Sequence, residues 1–268
     1  RRISSSPKAE ISTSSSALNG LKKWTKRSVT LGEPRPAAEL ADYFTIRRGI
    51  ATGANSFFIM ERERAALELG IQESNLRPIL PSPRKLQALE IGARKDGWPA
   101  IEPQLALLSA AESEDILHAS DPALATIFSK AGDELRSRYL LSKRTPWYKQ
   151  EIRNSPLFFC TYMGRGSESS PPFRFILNRS QAIATNTYLM LYPRAKLIEE
   201  LAAGLDPMDV HSALSAIAPE FLVNTGRQYG GGLHKIEPKE LGSLPADCLA
   251  ELVDSTSDGL PEQLTIPA

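Results

Sequence analysis

The sequence predicts an α+β fold, with a mixed, mainly antiparallel sheet body followed by a helical C-terminal portion. Up to residue 193, short apolar runs of strand composition are separated by turns marked by Gly, Pro and Asn. After Pro193, apolar residues instead recur at helical spacing, with short connections between segments. The chain contains no internal repeat. Strands gathered in one part of a chain and helices in another are typical of the α+β class.

The first folded block opens near Leu40, with strands predicted at 43–49 and 56–60. Between them, residues 50–55 contain Gly53 and Asn55, which tolerate positive φ, so we expect a tight loop joining two antiparallel strands. A short helix over 63–69 is predicted to end at Gly70. A further strand is expected at 86–91, followed by a turn at Asp96-Gly97.

A helix is predicted over 121–141, with an interruption near Gly132. It begins with Asp121 as a cap and Pro122 at the first helical position. Strands at 157–163, 173–178 and 187–192 are then expected to form a meander, with an exposed loop at 164–172. Helices are predicted at 195–203, 207–217 and 219–223.

These elements divide the chain into three parts. Residues 1–37 read as a flexible, basic and Ser-rich linker, with Trp24 docked onto the body. Residues 38–193 form the α+β body, and residues 194–268 form a helical portion packed on it. Because the sequence begins at Arg1 and not at Met, we expect it to be a piece of a longer protein.

Composition sets limits on location and partners. Hydrophobic residues make up 41% and charged residues 24% of the 268-residue chain, as in ordinary globular proteins. No apolar run approaches the roughly 20 residues that span a bilayer, and the N-terminus lacks an apolar signal segment. The two cysteines make no disulfide framework, and Cys160 is expected to be buried. We therefore expect a cytoplasmic protein without membrane contacts.

The net charge of the chain is +1, but charged residues are unevenly distributed along the sequence. Residues 1–30 carry seven basic residues against Glu10 alone, whereas residues 239–268 carry one basic and six acidic residues. Overall charge thus neither favours nor disfavours nucleic acid, and the local distribution must decide.

Sequence signals for catalysis are absent. There is no G-x-x-x-x-G-K-(S/T) loop and no G-x-S-x-G elbow, and the Gly230-Gly231-Gly232 tract does not follow a strand of a βαβ unit. The three histidines, His118, His211 and His234, lack the close spacing of a metal motif. We predict no catalytic residue and no metal site in this chain.

Three polar loops instead combine basic residues with aromatic or glycine residues. They are, in order, Arg47, Arg48, Thr52 and Asn55; then Lys143, Arg144, Trp147, Tyr148 and Lys149, with Arg165 in the following loop; and finally Arg227, Tyr229 and Lys235. Basic residues suit a phosphate backbone, and aromatic rings offer flat stacking surfaces. Each loop alone is equally compatible with surface arginines on a β-turn and aromatic residues in the core. Together, the three loops favour a protein surface that wraps around a polyanion.

Four sequence tracts resemble the C-terminal region of adenine-specific DNA methyltransferases, the Taq-like gamma class and its type IIG restriction–modification relatives. The tracts are Arg47-Arg48-Gly49-Ile50-Ala51-Thr52-Gly53-Ala54-Asn55-Ser56-Phe57-Phe58; Lys143-Arg144-Thr145-Pro146-Trp147-Tyr148; Asn178 with Thr185–Tyr192; and Tyr229-Gly230-Gly231-Gly232-Leu233-His234-Lys235-Ile236-Glu237-Pro238-Lys239-Glu240-Leu241. The second is similar to the family's R-x-P-W-(Y/W) element and the fourth to its G-G-x-x-K-(I/V)-x-P-x-E-L tail. The resemblance covers residues 38–245.

The resemblance implies a target-recognition domain that clamps double-stranded DNA against a separate catalytic domain. In the family, that second domain binds S-adenosylmethionine and methylates an adenine flipped out of the duplex. The family's (N/D/S)-P-P-(Y/F/W) tetrapeptide and cofactor loop are missing here, and Asn154-Ser155-Pro156-Leu157 does not replace the former. We therefore expect this chain to bind DNA, to hold no cofactor, and to follow a catalytic domain upstream of Arg1.

Within this interpretation, phosphate contacts are assigned to Lys143, Arg144, Lys149 and Arg227. Base-edge readout is assigned to Arg47, Asn55 or Arg165, and the glycine tract turns the chain so that Lys235 and Ile236 pack back onto the body. An alternative is a protein-interaction domain of a restriction or phage-defence complex, in which the Trp147 loop would be an interface hot spot. A nuclease is disfavoured because no compact Asp/Glu/Lys cluster is present.

Overall fold

The computed structural model describes residues 38–166 and 171–257. The predicted linker at 1–37 and the docking of Trp24 lie outside these residues. The strands within them are β1 (Phe44–Arg48), β2 (Ile59–Glu61), β3 (Leu76–Ile79), β4 (Glu90–Ile91), β5 (Leu105–Leu108), β6 (Phe158–Thr161), β7 (Met163–Arg165), β8 (Phe175–Asn178), β9 (Tyr188–Pro193), β10 (Arg227–Tyr229) and β11 (Leu233–Lys235).

The α-helices of the same residues are α1 (Leu40–Tyr43), α2 (Asn55–Phe58), α3 (Glu114–Ser120), α4 (Pro122–Ser129), α5 (Asp133–Arg136), α6 (Tyr139–Ser142), α7 (Ala195–Ala203), α8 (Pro207–Ser215), α9 (Pro219–Thr225), α10 (Pro238–Gly242) and α11 (Asp247–Ser257). Arg64–Glu68 forms a single π-helical turn that stops before Gly70, as predicted for a short helix there. The mixed, antiparallel-dominated α+β fold with C-terminal helices is confirmed.

A five-stranded sheet with the order β1-β9-β6-β8-β4 forms the centre of the described chain. All neighbours are antiparallel except β4 and β8. Because successive side chains of a strand point to opposite faces, the sheet separates two apolar cores. Phe159, Ile176 and Met190 enter one core, whereas Phe158 and Leu191 enter the other. Cys160 is buried as predicted, and burial raises the pKa of its thiol.

Each core is closed by different elements. The first core is covered by the small antiparallel sheet β2-β5-β3 and by α3 and α4. The second is covered by the C-terminal helices, with Leu197 of α7, Val210 of α8 and Leu241 of α10 fully buried. A third sheet, β10-β11-β7, extends from the end of β6. No helix of the described residues is both long and apolar enough to span a bilayer.

The predicted hairpin at 43–60 is wrong. Strand β1 pairs with β9, whereas β2 lies in the sheet with β5, so the intervening residues cross from one sheet to another. The first residues of the predicted second strand instead form α2, because the amides of Phe57 and Phe58 hydrogen-bond to the oxygen of Ala54. The helical turn directs Phe58 into the first core. In an extended strand, by contrast, alternate side chains would point to solvent.

The predicted meander is also wrong, because β6 lies between β8 and β9. The long connection from β8 to β9 allows this crossing, since its residues Ile183 and Thr185 bridge to Ile79 and Ile50 instead of making a tight turn. The strand predicted over 86–91 is reduced to Glu90–Ile91. Strands β3, β5, β10 and β11 were not predicted, because each is four residues or shorter and lacks clear alternation.

The predicted helix start at Asp121 is confirmed. The Asp121 side chain accepts a hydrogen bond of 3.0 Å from the amide of Leu124, and Pro122 occupies the first helical turn. Its second oxygen accepts hydrogen bonds from the amide of Gln72 and the side chain of Asn75. The helical segment that follows is broken into α4, α5 and α6, with Gly132 between the first two as expected.

Candidate nucleic-acid interface

The structure brings the residues of the three polar loops together in two groups and divides the first loop between them. Thr52 and Asn55 join the second loop through Arg144. Arg48 joins the third loop through Glu237. Arg47 points to the opposite face of β1 from Arg48, as neighbours on a strand do, and lies in a separate cleft with Arg153.

Arg144 braces the turn that follows β1. Its guanidinium donates hydrogen bonds of 3.0 Å to the main-chain oxygen of Thr52 and 2.7 Å to that of Ala51. Thr52 is only 1% exposed, and its hydroxyl donates to the side chain of Asn55 at 2.5 Å. Burial lowers the pKa of Arg144. Arg144 and Thr52 are therefore occupied by structural contacts, and the structure offers neither to a phosphate.

The two aromatic residues of the second loop belong to the core. Tyr148 is fully buried, stacks on Phe128 at 4.4 Å between ring centroids, and donates a 2.7 Å hydrogen bond to the oxygen of Glu112. Burial raises the pKa of its hydroxyl. Trp147 is half-buried, packs against Phe58, and lies under the Arg136 guanidinium at 5.1 Å. Tyr148 therefore offers no exposed stacking surface, and Trp147 offers only part of its ring, because both side chains pack in or against the first core.

The charged ends of the second loop remain at the surface. Lys143 and Lys149 are exposed, and neither side chain has an ion-pair partner among residues 38–166 and 171–257. Asn55 is exposed beside them, although its side-chain oxygen accepts the Thr52 hydrogen bond. These three side chains are the accessible part of the group built around Arg144.

Glu237 connects the third loop to β1. Its carboxylate accepts hydrogen bonds from Arg48 Nε at 3.1 Å and from the Tyr162 hydroxyl at 2.9 Å, and it lies 3.1 Å from Lys235 Nζ. Burial alone would raise the pKa of Glu237, but these three donors outweigh burial and lower it to about 2. Arg48 and Lys235 thus neutralise a partly buried carboxylate and hold β11 against the end of β1.

Arg227 also has a structural partner. Its Nε and Nη2 atoms lie 2.9 and 2.8 Å from one oxygen of Glu240. The other Glu240 oxygen accepts the amide of Glu237 at 2.8 Å, which closes a capping box at the start of α10. The spacing of Lys235, Glu237 and Glu240 therefore builds one network of ion pairs and hydrogen bonds. Ile236 is buried, as expected if the chain packs back onto the body.

The glycine tract is the tip of a β-hairpin between β10 and β11. Gly231 and Gly232 both have φ of +71°, a conformation that glycine adopts without strain. Arg165, on the neighbouring strand β7, donates a 3.1 Å hydrogen bond from Nε to the oxygen of Gly231. Tyr229 is 45% exposed beside the tip. The tip is therefore narrow, carries no side chains, and is held by one arginine.

An arginine-lined cleft of about 630 Å³ adjoins this hairpin. We call it the hairpin cleft; its walls include Arg84, Arg165 and Arg174, and within residues 38–166 and 171–257 none of the lining residues is acidic. Arg174 donates to the oxygens of Pro83 and Leu86, both at 2.9 Å, and so fixes the wall that carries Arg84. Arg84 is exposed. Neither Arg84 nor Arg174 is among the site residues predicted from sequence, although Pro81-Ser82-Pro83-Arg84-Lys85 is itself a basic, proline-bounded loop.

The described part of the chain contains no group of three His, Cys, Asp or Glu side chains able to hold a metal ion. His211 is buried, with Nε2 3.1 Å from the oxygen of Phe175, and acts as a packed core histidine.

Comparisons with known proteins place these features in context. The family model for the C-terminal domain of the type II methyltransferase M.Eco57I matches residues 26–264. The type II methyltransferase M.AccI of Acinetobacter calcoaceticus is 26% identical over 218 residues, which cover 81% of this chain and 38% of M.AccI. M.XamI of Xanthomonas campestris pv. amaranthicola is 26% identical over 258 residues, covering 88% of this chain and 44% of M.XamI.

The chain therefore spans less than half the length of these two curated relatives. Among solved structures, the type IIG restriction endonuclease BpuSI is similar over 82% of this chain and 26% of its own, with a TM-score of 0.41 and 15% identity.

Proposed function

This chain belongs to the family of C-terminal domains of type II methyltransferases represented by M.Eco57I, and from this premise we propose that it is a DNA target-recognition domain. The whole protein would be an adenine-specific, S-adenosylmethionine-dependent DNA methyltransferase of a restriction–modification system, working in the cytoplasm. In this proposal the chain holds double-stranded DNA and positions its target for a catalytic region elsewhere in the same protein.

The observation that carries the proposal is the hairpin cleft. Three arginines line it, and no carboxylate is found among the lining residues that the structure describes, so its field attracts an anion. Guanidinium groups pair with phosphate oxygens and with the O6 and N7 acceptors of guanine. The adjoining glycine tip has no side chains to widen it, and a narrow β-ribbon fits the major groove, which is about 12 Å wide. Arg165 connects the two features, because it lines the cleft and holds the tip.

We assign cofactor binding and methyl transfer to the rest of the whole protein. The glycine tract, the strongest cofactor-loop candidate in the sequence, is a hairpin tip and not a strand-to-helix turn, so it does not fit S-adenosylmethionine. The Asn154–Leu157 segment is used for packing, since the oxygen of Asn154 accepts the Tyr192 hydroxyl and that of Pro156 accepts Asn178 Nδ2. Neither segment supplies a reacting group.

The rival proposal of a protein-interaction domain loses its main support. It required Trp147 and Tyr148 to form an exposed hot spot, and these side chains pack with Phe58 and Phe128. The exposed groups at the loop ends are lysines, which are depleted in protein interfaces and frequent at phosphate backbones.

The test is binding of the 268-residue chain to a fluorescently labelled random-sequence duplex, followed by anisotropy. Removing two cleft arginines, in the Arg84→Gln, Arg165→Gln double variant, is expected to weaken binding at least about tenfold. It should also reduce the slope of log affinity against log salt by about two, one for each phosphate contact. The matched control is Arg64→Gln with Lys95→Gln, which removes two exposed charges that do not line the cleft. Equal affinities for the two double variants would overturn the proposal.

A further inference from the structure

A second basic cleft lies at the outer edge of the central sheet. It has a volume of about 390 Å³ and is lined by Thr45, Arg47, Ile152, Arg153, Asn154 and Tyr192. We call it the β1 cleft. Thr45 and Arg47 project from the same face of β1, and Thr45 lies directly opposite Tyr192 of β9. The segment 152–154 forms the facing wall.

Positive charge exceeds negative charge at this cleft. Arg153 lines it, Arg77 donates to the main-chain oxygen of Arg153 from beneath, and Arg47 lies at its rim. Among the described residues, the carboxylate paired with a lining arginine is that of Glu151, which lies 2.9 Å from Arg153 Nε and 2.6 Å from Arg153 Nη2 through Oε1. Three guanidinium groups and one carboxylate leave a charge of +2. Arg47 is exposed and makes no side-chain hydrogen bond or ion pair with the described residues.

Two of these arginines carry unused donors. The Nη1 atoms of Arg77 and Arg153 are both shielded from solvent, and neither has a hydrogen-bond acceptor in the described part of the chain. Burial lowers the pKa of Arg77, which reflects how unfavourable its charge is there. Unpaired buried donors are rare, and each one leaves its guanidinium charge poorly compensated. An anion in the cleft would offset the charge of Arg153, which lines the cleft, and of Arg77, which contacts the main chain of Arg153.

We infer that the β1 cleft binds one phosphate group of the DNA backbone, an inference that rests on the function proposed for the chain. Arg47 and Arg153 would contact the phosphate oxygens, with the Thr45 hydroxyl and the Asn154 amide as neutral donors. Tyr192 fixes this wall because its hydroxyl donates a 2.9 Å hydrogen bond to the main-chain oxygen of Asn154. Because phosphate contacts carry no sequence information, this site sets the register of the duplex and leaves base readout to other residues.

The β1 cleft can be tested separately from the hairpin cleft. Thr187 lines the hairpin cleft and Tyr192 lines the β1 cleft, so the two sites lie toward opposite ends of β9. Five residues of extended chain separate them by about 16 Å. No lining residue is shared. A substitution at Arg47 therefore leaves the arginines of the hairpin cleft in place.

The experiment measures binding of the 268-residue chain to a labelled random-sequence duplex across a salt titration. Arg47→Gln is expected to weaken binding about fivefold and to lower the salt slope by about one. Arg47→Lys, which keeps the charge, should retain most of the affinity. Glu151→Gln removes the carboxylate that pairs with Arg153 and should strengthen binding severalfold. Because Arg47 and Glu151 are exposed, these variants are expected to fold; Arg64→Gln is the single-charge control.

A parallel arm records thermal stabilisation by inorganic phosphate. Suppose that the wild-type chain binds the duplex, that the Arg84→Gln, Arg165→Gln double variant binds it more weakly, and that Arg47→Gln and Arg64→Gln have the same affinity. In that case this inference fails and the proposed function stands. If no duplex binds but inorganic phosphate stabilises the wild-type chain and not Arg47→Gln, the proposed function fails and the site binds free phosphate instead. If neither ligand has an Arg47-dependent effect, the anion site itself is refuted.

Discussion

Arg144 donates a 3.0 Å hydrogen bond to the main-chain oxygen of Thr52, 92 residues earlier in the chain. This contact joins the Arg144–Tyr148 tract to the tract that begins at Arg47, so two motifs that are far apart in sequence form one structural unit. Basic residues of the same motif therefore have two different roles in this chain. Arg144 is partly buried and stabilises a turn, whereas its neighbour Lys143 is exposed and available to a ligand.

Replacing Arg144 by Met should destabilise the fold. The change leaves the oxygens of Ala51 and Thr52 without their donor, and each unsatisfied buried group costs about 1–3 kcal/mol. We expect the free energy of unfolding in urea to fall by about 3 kcal/mol. Lys143→Met, at the adjacent exposed position, should change it by less than about 0.5 kcal/mol. Equal decreases in the free energy of unfolding of the two variants would show that Arg144 does not stabilise the turn at Ala51 and Thr52.

Replacing Gly49 by Ala should be more damaging than its small size suggests. A Cβ atom at this position would overlap the main-chain oxygen of Thr185 and lie 2.5 Å from that of Ala184. Since both neighbours are backbone atoms, the connection between β8 and β9 would have to move. We expect the unfolding free energy to drop by about 3 kcal/mol. Gly132→Ala, whose new Cβ meets no atom within 4 Å, is the control and should leave thermal stability nearly unchanged.

Glu237 should make stability depend on acid pH. Its pKa is lowered from 4.5 to about 2 in the folded chain, so its contribution is complete above pH 4.5 and is lost as the pH falls toward 2. At pH 7, Glu237→Gln is expected to be less stable than the wild type by about 2 kcal/mol, and below pH 4.5 this difference should shrink.

Urea unfolding between pH 7 and pH 2 measures this difference, with Glu199→Gln on the exposed side of α7 as the control. The difference in the free energy of unfolding between wild type and Glu237→Gln could instead stay constant through this range. That result would mean that Arg48, Tyr162 and Lys235 do not hold the carboxylate in its charged form.

Local signals in the sequence were sufficient for the fold class and for several elements. The cap at Asp121, the break near Gly132 and the helices after Pro193 depend on neighbouring residues, and all three predictions are confirmed. Strand pairing depends on residues far apart, because β1 meets β9 across more than 140 positions. The false hairpin at 43–60 followed from treating consecutive strands as partners.

The candidate site was harder to predict because composition does not reveal which basic residues are paired. Arg48 and Arg227 look available in sequence, yet Glu237 and Glu240 occupy them. Those acids lie 189 and 13 residues away from their partners. Conversely, Arg84 and Arg153 were not among the predicted site residues, although Arg153 belongs to the basic cluster of the second loop, and the structure places them in two clefts of positive charge.

The central claim is that this chain holds duplex DNA through phosphate contacts, and its most direct test is binding to a labelled duplex at two salt concentrations. Three phosphate contacts predict that raising salt from about 50 to 200 mM weakens the affinity of the wild-type chain about 40-fold. Measurable binding at low salt that collapses in this way would support the account. Absence of binding at low salt, or an affinity that stays the same at both concentrations, would contradict it.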